Sequence, residues 1–253
     1  MKCIAKIAVA ALSAAIIASA AGCSGGGGYV TVATNAEFPP FEYIDNSGGI
    51  VENYSGIDIA ISNEIAKELG KELKVLDIDF EAVVAAAQND RADFAAAGLT
   101  ADDERSPIVD FSIPYYVAAQ NIIVPDSDTA ITSARDILDK RVGAAQGFTG
   151  EKVCRELGVS NLTTYKNGMQ AVADLKNGKL DCVVIDSHTA VAIVARNTGL
   201  RIVTDADAFE QEFYAIAVKK GNTEMLNTIN SVLERLMSDG SLDKFVVEYS
   251  NEE

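Results

Sequence analysis

The chain has 253 residues, with 37 acidic side chains against 21 basic ones and a formal net charge of −16. Hydrophobic residues make up 48% and charged residues 23%, proportions that exclude intrinsic disorder, collagen-like repetition and a disulfide-dense miniprotein. The surplus of carboxylates excludes nucleic acid as an expected partner, because affinity for phosphate backbones comes from Lys and Arg.

The first segment reads as an address, not as fold. Lys2 and Lys6 make a short basic region, residues 7–21 are apolar and Ala-rich, and no acidic residue precedes Glu37, the pattern of a secretory signal. Ala20, Ala21 and Gly22 lead directly into Cys23. This resembles the bacterial lipoprotein signal, in which the Cys becomes the lipidated first residue of the mature chain. The expectation is a signal over 1–22, a Gly-rich tether over 23–28, and a domain held by a lipid anchor at the outer face of the bacterial cell membrane. No later segment approaches the ~20 apolar residues of a membrane span.

From Tyr29 onward strands and helices alternate. Residues 30–34 alternate and carry β-branched side chains, while Ile57, Ile61, Ile65 and Leu69 recur at helical spacing and stop at Gly70. Residues 73–78 read as strand, 81–88 as an Ala-rich helix and 93–97 as a short buried strand. The second half repeats the style, with strands at 141–145, 162–165 and 181–186 and helices at 150–157 and 169–176. Two closing helices, 223–237 and 241–249, are separated by Gly240. Such alternation predicts α/β lobes with mostly parallel sheets.

Two apolar stretches without helical spacing, 115–124 and 213–218, read as strands crossing between lobes. If both link the same pair, lobe 1 is discontinuous, 29–116 plus 215–253, and lobe 2 is 117–214. Ligands of open α/β sheets collect beyond the carboxyl ends of the strands, so the site belongs in the cleft between them. Once Cys3 and Cys23 are set aside, Cys154 and Cys182 remain, read as independent buried hydrophobes with a disulfide as the alternative. With His188 the one histidine and no paired Cys spacing, neither a metal site nor a cofactor is expected.

The chemistry gathers in Gly98, Leu99 and Thr100, in Asp102 through Arg105, and in Asp110, Phe111, Ser112 and Pro114. With residues 34–43 (TNAEFPPFEY), 56–58, Phe80, 147–151 and Asp186, the ordered set resembles the extracellular solute-binding proteins of amino-acid ABC transporters, family 3. The likeness covers residues 29–250. It implies a two-lobed periplasmic-binding-protein-like fold of type II, a free L-amino acid as ligand, an ABC permease as partner and a monomer. It also implies roles. Arg105 would grip the ligand carboxylate with two parallel N–H bonds, and Gly98 and Thr100 would complete the carboxylate and ammonium contacts. Thr149, at a helix start, would add a second grip on the carboxylate, and Asp186 would meet the ammonium. Phe38 and Phe80 would flank the ligand side chain, Asn35 stands where relatives of basic or amide specificity often carry Asp, and Leu99 and Gln146 complete the set.

Each role has a plainer counterpart. Arg105 can pair with Asp102 or Glu104 in a loop; Asp186 and Thr149 can cap helices; Phe38 and Phe80 can be core. Glu37 either adds negative charge at the cleft mouth or is solvated. The segment at 147–150 lacks the Gly-Lys-Ser or Gly-Lys-Thr ending of a nucleotide loop, so ATP is not expected. Two other function classes remain open, a cyclohexadienyl dehydratase-like enzyme on the same scaffold and a ligand sensor. The side chain captured is expected to be polar, amide or basic, with cystine or an acidic ligand as the alternatives.

Overall fold

The computed structural model describes residues 28–251; the expected signal, Cys23 and all of the tether except Gly28 lie outside them. The β-branched strand Tyr29–Thr34 sits at the second position of a five-stranded sheet. Its order is Glu72–Asp77, Tyr29–Thr34, Phe94–Ala95, Ala217–Lys219, Val109–Phe111. A second five-stranded sheet runs Asn161–Tyr165, Arg141–Ala145, Cys182–Asp186, Gln120–Pro125, Leu200–Val203. Within each sheet a single strand opposes the others: Ala217–Lys219 is antiparallel to both neighbours in the first, and Gln120–Pro125 in the second.

Those two opposed strands follow directly on the segments that cross between the sheets. Tyr116–Ala118 and Glu212–Tyr214 pair antiparallel, with Tyr116 opposite Tyr214 and Ala118 opposite Glu212. The expected crossing stretches 115–124 and 213–218 therefore each split in two, one part in this two-stranded hinge and one in a sheet. Both parts are apolar because both are buried on at least one side, so composition alone does not mark the break.

Among the described residues seven α-helices cover the sheets. In the first lobe α1 (Ile57–Glu68) and α2 (Phe80–Gln88) connect the parallel strands; α1 places Ile57, Ile61 and Ile65, all fully buried, against the sheet. In the second lobe α3 (Thr149–Leu157), α4 (Gly168–Lys176) and α5 (Ser187–Arg196) do the same. Helices α6 (Thr223–Ser238) and α7 (Ser241–Asn251) return to the first lobe, where Ile229, Val232, Leu233 and Leu236 join its core. Cys154 and Cys182 are fully buried, unpaired and part of the second-lobe core. Missing from the periodicity is a small three-stranded sheet, Glu37–Phe38, Glu42–Ile44 and Tyr54–Ser55, which seats Phe38 at the cleft.

Candidate functional site

Strand ends and helix starts meet between the lobes. Gly98 follows the short strand Phe94–Ala95 and adopts φ +53°, a conformation that a residue with a Cβ rarely holds. An added Cβ would come to 2.6 Å from the Phe38 ring. Its N–H donates to the buried Asp58 carboxylate at 2.8 Å, which ties the site-facing turn to the start of α1. Thr100 bridges to Tyr214 of the hinge. Its hydroxyl donates to Glu212 Oε2 at 2.7 Å and lies 3.1 Å from the hydroxyl of Thr149, across the cleft.

Arg105 folds back over this turn. Its Nη1 donates to the Thr100 carbonyl at 3.0 Å and its Nη2 to the Gly147 carbonyl of the opposite lobe at 3.3 Å. The guanidinium carbon lies 5.5 Å from the Phe80 ring centroid. Burial lowers its pKa, and nearby Asp102 and Glu212 oppose that shift. The expected alternative, an ion pair with Asp102 or Glu104, is not formed: those carboxylates are taken by Lys152, at 3.2 and 3.6 Å. Among the described residues Arg105 has no ion-pair partner.

Asp186 ends the strand Cys182–Asp186 and begins α5. One carboxylate oxygen accepts the N–H groups of His188 and Thr189, at 2.9 and 3.1 Å, and the other accepts the Tyr214 hydroxyl at 2.7 Å. Asp186 is thus a helix cap and also a wall of the cleft. Burial raises its pKa and the Tyr214 hydroxyl partly restores it.

The cleft between the lobes encloses about 910 Å³, open to solvent, and is lined by Phe38, Phe80, Gly98, Gln120, Thr149 and Asp186 among others. Asn35 and Gln146 instead face a second cavity together with Phe80, Asp79, Glu81 and Lys166. Asn35 Nδ2 donates to the Ile78 carbonyl at 3.0 Å and its Oδ1 is buried without a partner; Gln146 Nε2 donates to Glu81 at 3.1 Å. Leu99 is fully buried, and it supports the site through its carbonyl, which accepts the Ala215 N–H at 2.9 Å. Glu37 is partly exposed and also paired: it meets Lys166 at 3.1 Å and accepts from Asn167 at 2.7 Å, both in the opposite lobe.

Three site residues were not singled out from the sequence. Glu212, 7% exposed in the hinge, accepts Thr100 and the Gln120 amide, each at 2.7 Å, and burial raises its pKa. Gln120 lines the cleft with a buried Oε1 that has no partner. Phe148 stacks on Phe80 with ring centroids 3.7 Å apart and packs on Phe38 at 5.6 Å. The available signals were a carboxylate and an amide inside apolar crossing segments, and an aromatic between Gly147 and a helix start. Arranged this way, the cleft offers a guanidinium with two hydroxyls for an anion, carboxylates and an amide oxygen for a cation, and aromatic walls.

Residues 30–252 match the family described as bacterial extracellular solute-binding proteins, family 3. A probable histidine-binding protein of Neisseria gonorrhoeae is 34% identical over 225 residues, 86% of this chain and 81% of the relative. The arginine-binding extracellular protein ArtP of Bacillus subtilis is 31% identical over 216 residues, 83% and 82% of the two chains. Among solved structures, an amino-acid ABC transporter substrate-binding protein of Streptococcus pneumoniae bound to L-arginine superposes with a TM-score of 0.82 and 33% identity, covering 89% of this chain and 97% of the other. Sequence and architecture agree, and the chain belongs to the bacterial extracellular solute-binding proteins of family 3.

Proposed function

We propose that the protein captures a free amino acid with a basic or amide side chain between its lobes and presents it to an ABC permease. The observation that carries this reading is Arg105, a half-buried guanidinium without an ion-pair partner among the described residues, set beside the hydroxyls of Thr100 and Thr149. A guanidinium held in this way matches a carboxylate bidentately. Asp186 and the unpartnered Gln120 oxygen line the cleft and supply acceptors for the ammonium group, with the Glu212 carboxylate bonded behind Gln120. Burying a zwitterion is costly unless both ends are met by charge and hydrogen bonds. The relatives named for histidine and arginine support a cationic side chain.

In this reading lobe 1 is 29–116 plus 215–253 and lobe 2 is 117–214, so Arg105 and Thr100 face Thr149 and Asp186 across the hinge. One bridging ligand then favours closure through contacts that neither lobe makes alone. Cys23 carries the lipid anchor, the protein acts as a monomer, and capture is without turnover. A thermal-shift screen over the twenty amino acids, ornithine and cystine tests the proposal. A tight ligand raises the melting temperature by mass action, about 2.7 kcal/mol at a hundred times Kd. Arginine, histidine, lysine or glutamine is expected to give the largest shift. No shift with any amino acid at millimolar concentration, or turnover of arogenate or prephenate, would overturn it.

A further inference from the structure

The Phe80 and Phe148 rings belong to opposite lobes, yet they are the closest pair of rings in the cleft, 3.7 Å between centroids with planes 17° apart. Carbon atoms in contact sit about 3.5 to 4.0 Å apart, so this spacing leaves almost no lateral offset. Face-to-face stacking without offset brings the two negative ring faces together, which is less favourable than an offset or edge-on arrangement. A flat cation between the rings would meet a negative face on each side.

The Phe148 side chain packs against both apolar clusters of the first lobe, which include Phe38 and Phe80. Its backbone is fixed, with the carbonyl accepting the Glu151 N–H at the start of α3, while the side chain is half-buried and forms no hydrogen bond. It can therefore shift without breaking a polar contact. Carboxylates stand nearby: Glu81, which accepts the Gln146 amide, lies against Gly147, its Cγ 2.8 Å from where a Cβ would stand, and Glu37, paired with Lys166, lines the same cleft; Phe80 already carries one guanidinium at 5.5 Å.

We propose that Phe148 is a specificity-determining residue: its ring and that of Phe80 are the two walls of a slot, in contact here, that parts to take a planar cationic side chain. The inference rests on the amino-acid reading above and adds to it the shape of the side chain. Because the walls come from different lobes, a guanidinium or imidazolium between them would join the lobes as well as fill the cleft. A flexible primary ammonium of the same charge would use the slot less well.

Calorimetry with L-arginine, L-histidine and L-ornithine on the wild type, Phe148→Leu and Phe148→Tyr tests this. The leucine keeps apolar bulk without a ring face; the tyrosine keeps the face. The wild type is expected to prefer arginine or histidine over ornithine, and Phe148→Leu to reduce that preference about tenfold. Phe148→Tyr should hold it within about twofold, with the ligand-free melting temperatures of both variants confirming that they fold. An unchanged preference in Phe148→Leu, an equal loss for all three ligands, or a wild type that favours ornithine overturns the slot alone. A wild type that binds no amino acid overturns the capture reading, and the slot falls with it.

Discussion

Arg105 concentrates the electrostatics of the cleft in one side chain. Its bonds go to two carbonyls, Thr100 and Gly147, which hold the guanidinium without neutralising it. In Arg105→Ala a buried ligand carboxylate would lose its counter-charge, a loss of about 3 to 5 kcal/mol, hence at least about a hundredfold in affinity. Calorimetry giving less than about a fivefold loss would remove Arg105 from the site. Behind the cleft, Asp58 accepts Gly98 N–H and the Tyr115 hydroxyl at 2.6 Å, and it lies against Glu42; both acids are fully buried. With both ionised, the Glu42 oxygens have no donor; they can hydrogen-bond to Asp58 only if the pair keeps a proton. Burial, then the Asp58 charge, raises Glu42 well above its ordinary range, and burial raises Asp58 from 3.8 to about 6. A carboxyl pKa raised in the folded state adds stability below the unfolded value, and that contribution is lost as pH rises through the folded value. The stability of wild type minus that of Asp58→Asn should therefore fall between pH 3.8 and about 6, by on the order of 3 kcal/mol. Denaturant titrations across that range check it; a difference that rises with pH would refute the shared proton. Arg105 was legible because its motif is ordered along the chain. Phe148 and Glu212 were not, because their roles depend on partners 68 and 112 residues away, Phe80 and Thr100.

Elements with a period were legible, and several short strands without one were not. The expected helix at Ile57, Ile61, Ile65 and Leu69 is α1, Ile57–Glu68, and the expected strand at 141–145 is Arg141–Ala145, because burial on one face imprints a repeat on the sequence. The strands Glu37–Phe38 and Tyr54–Ser55 have two residues each, too few to show alternation, and their pairing is set by a partner strand elsewhere in the chain. Val109–Phe111 and Leu200–Val203, at the edges of the two sheets, went unread for the same reason. The junction of the small sheet with α1 depends on one residue. Gly56 holds φ +120° and ψ 173° at the helix N-cap, a region that is essentially glycine-only, and a Cβ there would collide with the Phe41 carbonyl oxygen. Gly56→Ala should cost at least about 2 kcal/mol of stability, read as a fall in the urea midpoint with an unchanged slope. Ala at Gly70, which also has positive φ but open space around its Cβ, should cost less. Equal losses at the two positions would mean that the collision relaxes and that backbone conformation alone sets the cost.

At the scale of the whole molecule, chain topology decides how ligand contacts become movement. Each sheet receives the crossing chain as its one opposed strand, so the hinge pair Tyr116–Ala118 and Glu212–Tyr214 is continuous with both cores. The contacts between lobes fall into two kinds. At the rim, Lys166 meets Glu37 at 3.1 Å and Asp79 at 3.4 Å with its side chain 53% exposed. At the centre, Arg105 reaches Gly147, and Thr100 reaches Thr149. Exposed ion pairs contribute about 0 to 1 kcal/mol and weaken with salt, whereas the central side chains are buried or half-buried and positioned to share a ligand. Closure driven by the ligand should therefore survive loss of the rim pair and fail without the centre. Lys166→Ala is expected to change amino-acid affinity by no more than about fivefold, and to leave intact the fall in radius of gyration that saturating ligand produces in solution scattering. Arg105→Ala should abolish that compaction at the same ligand concentration. The assignment of closure to the centre would be reversed if Lys166→Ala lost the compaction while Arg105→Ala retained it, because the rim would then supply the difference in free energy between open and closed lobes.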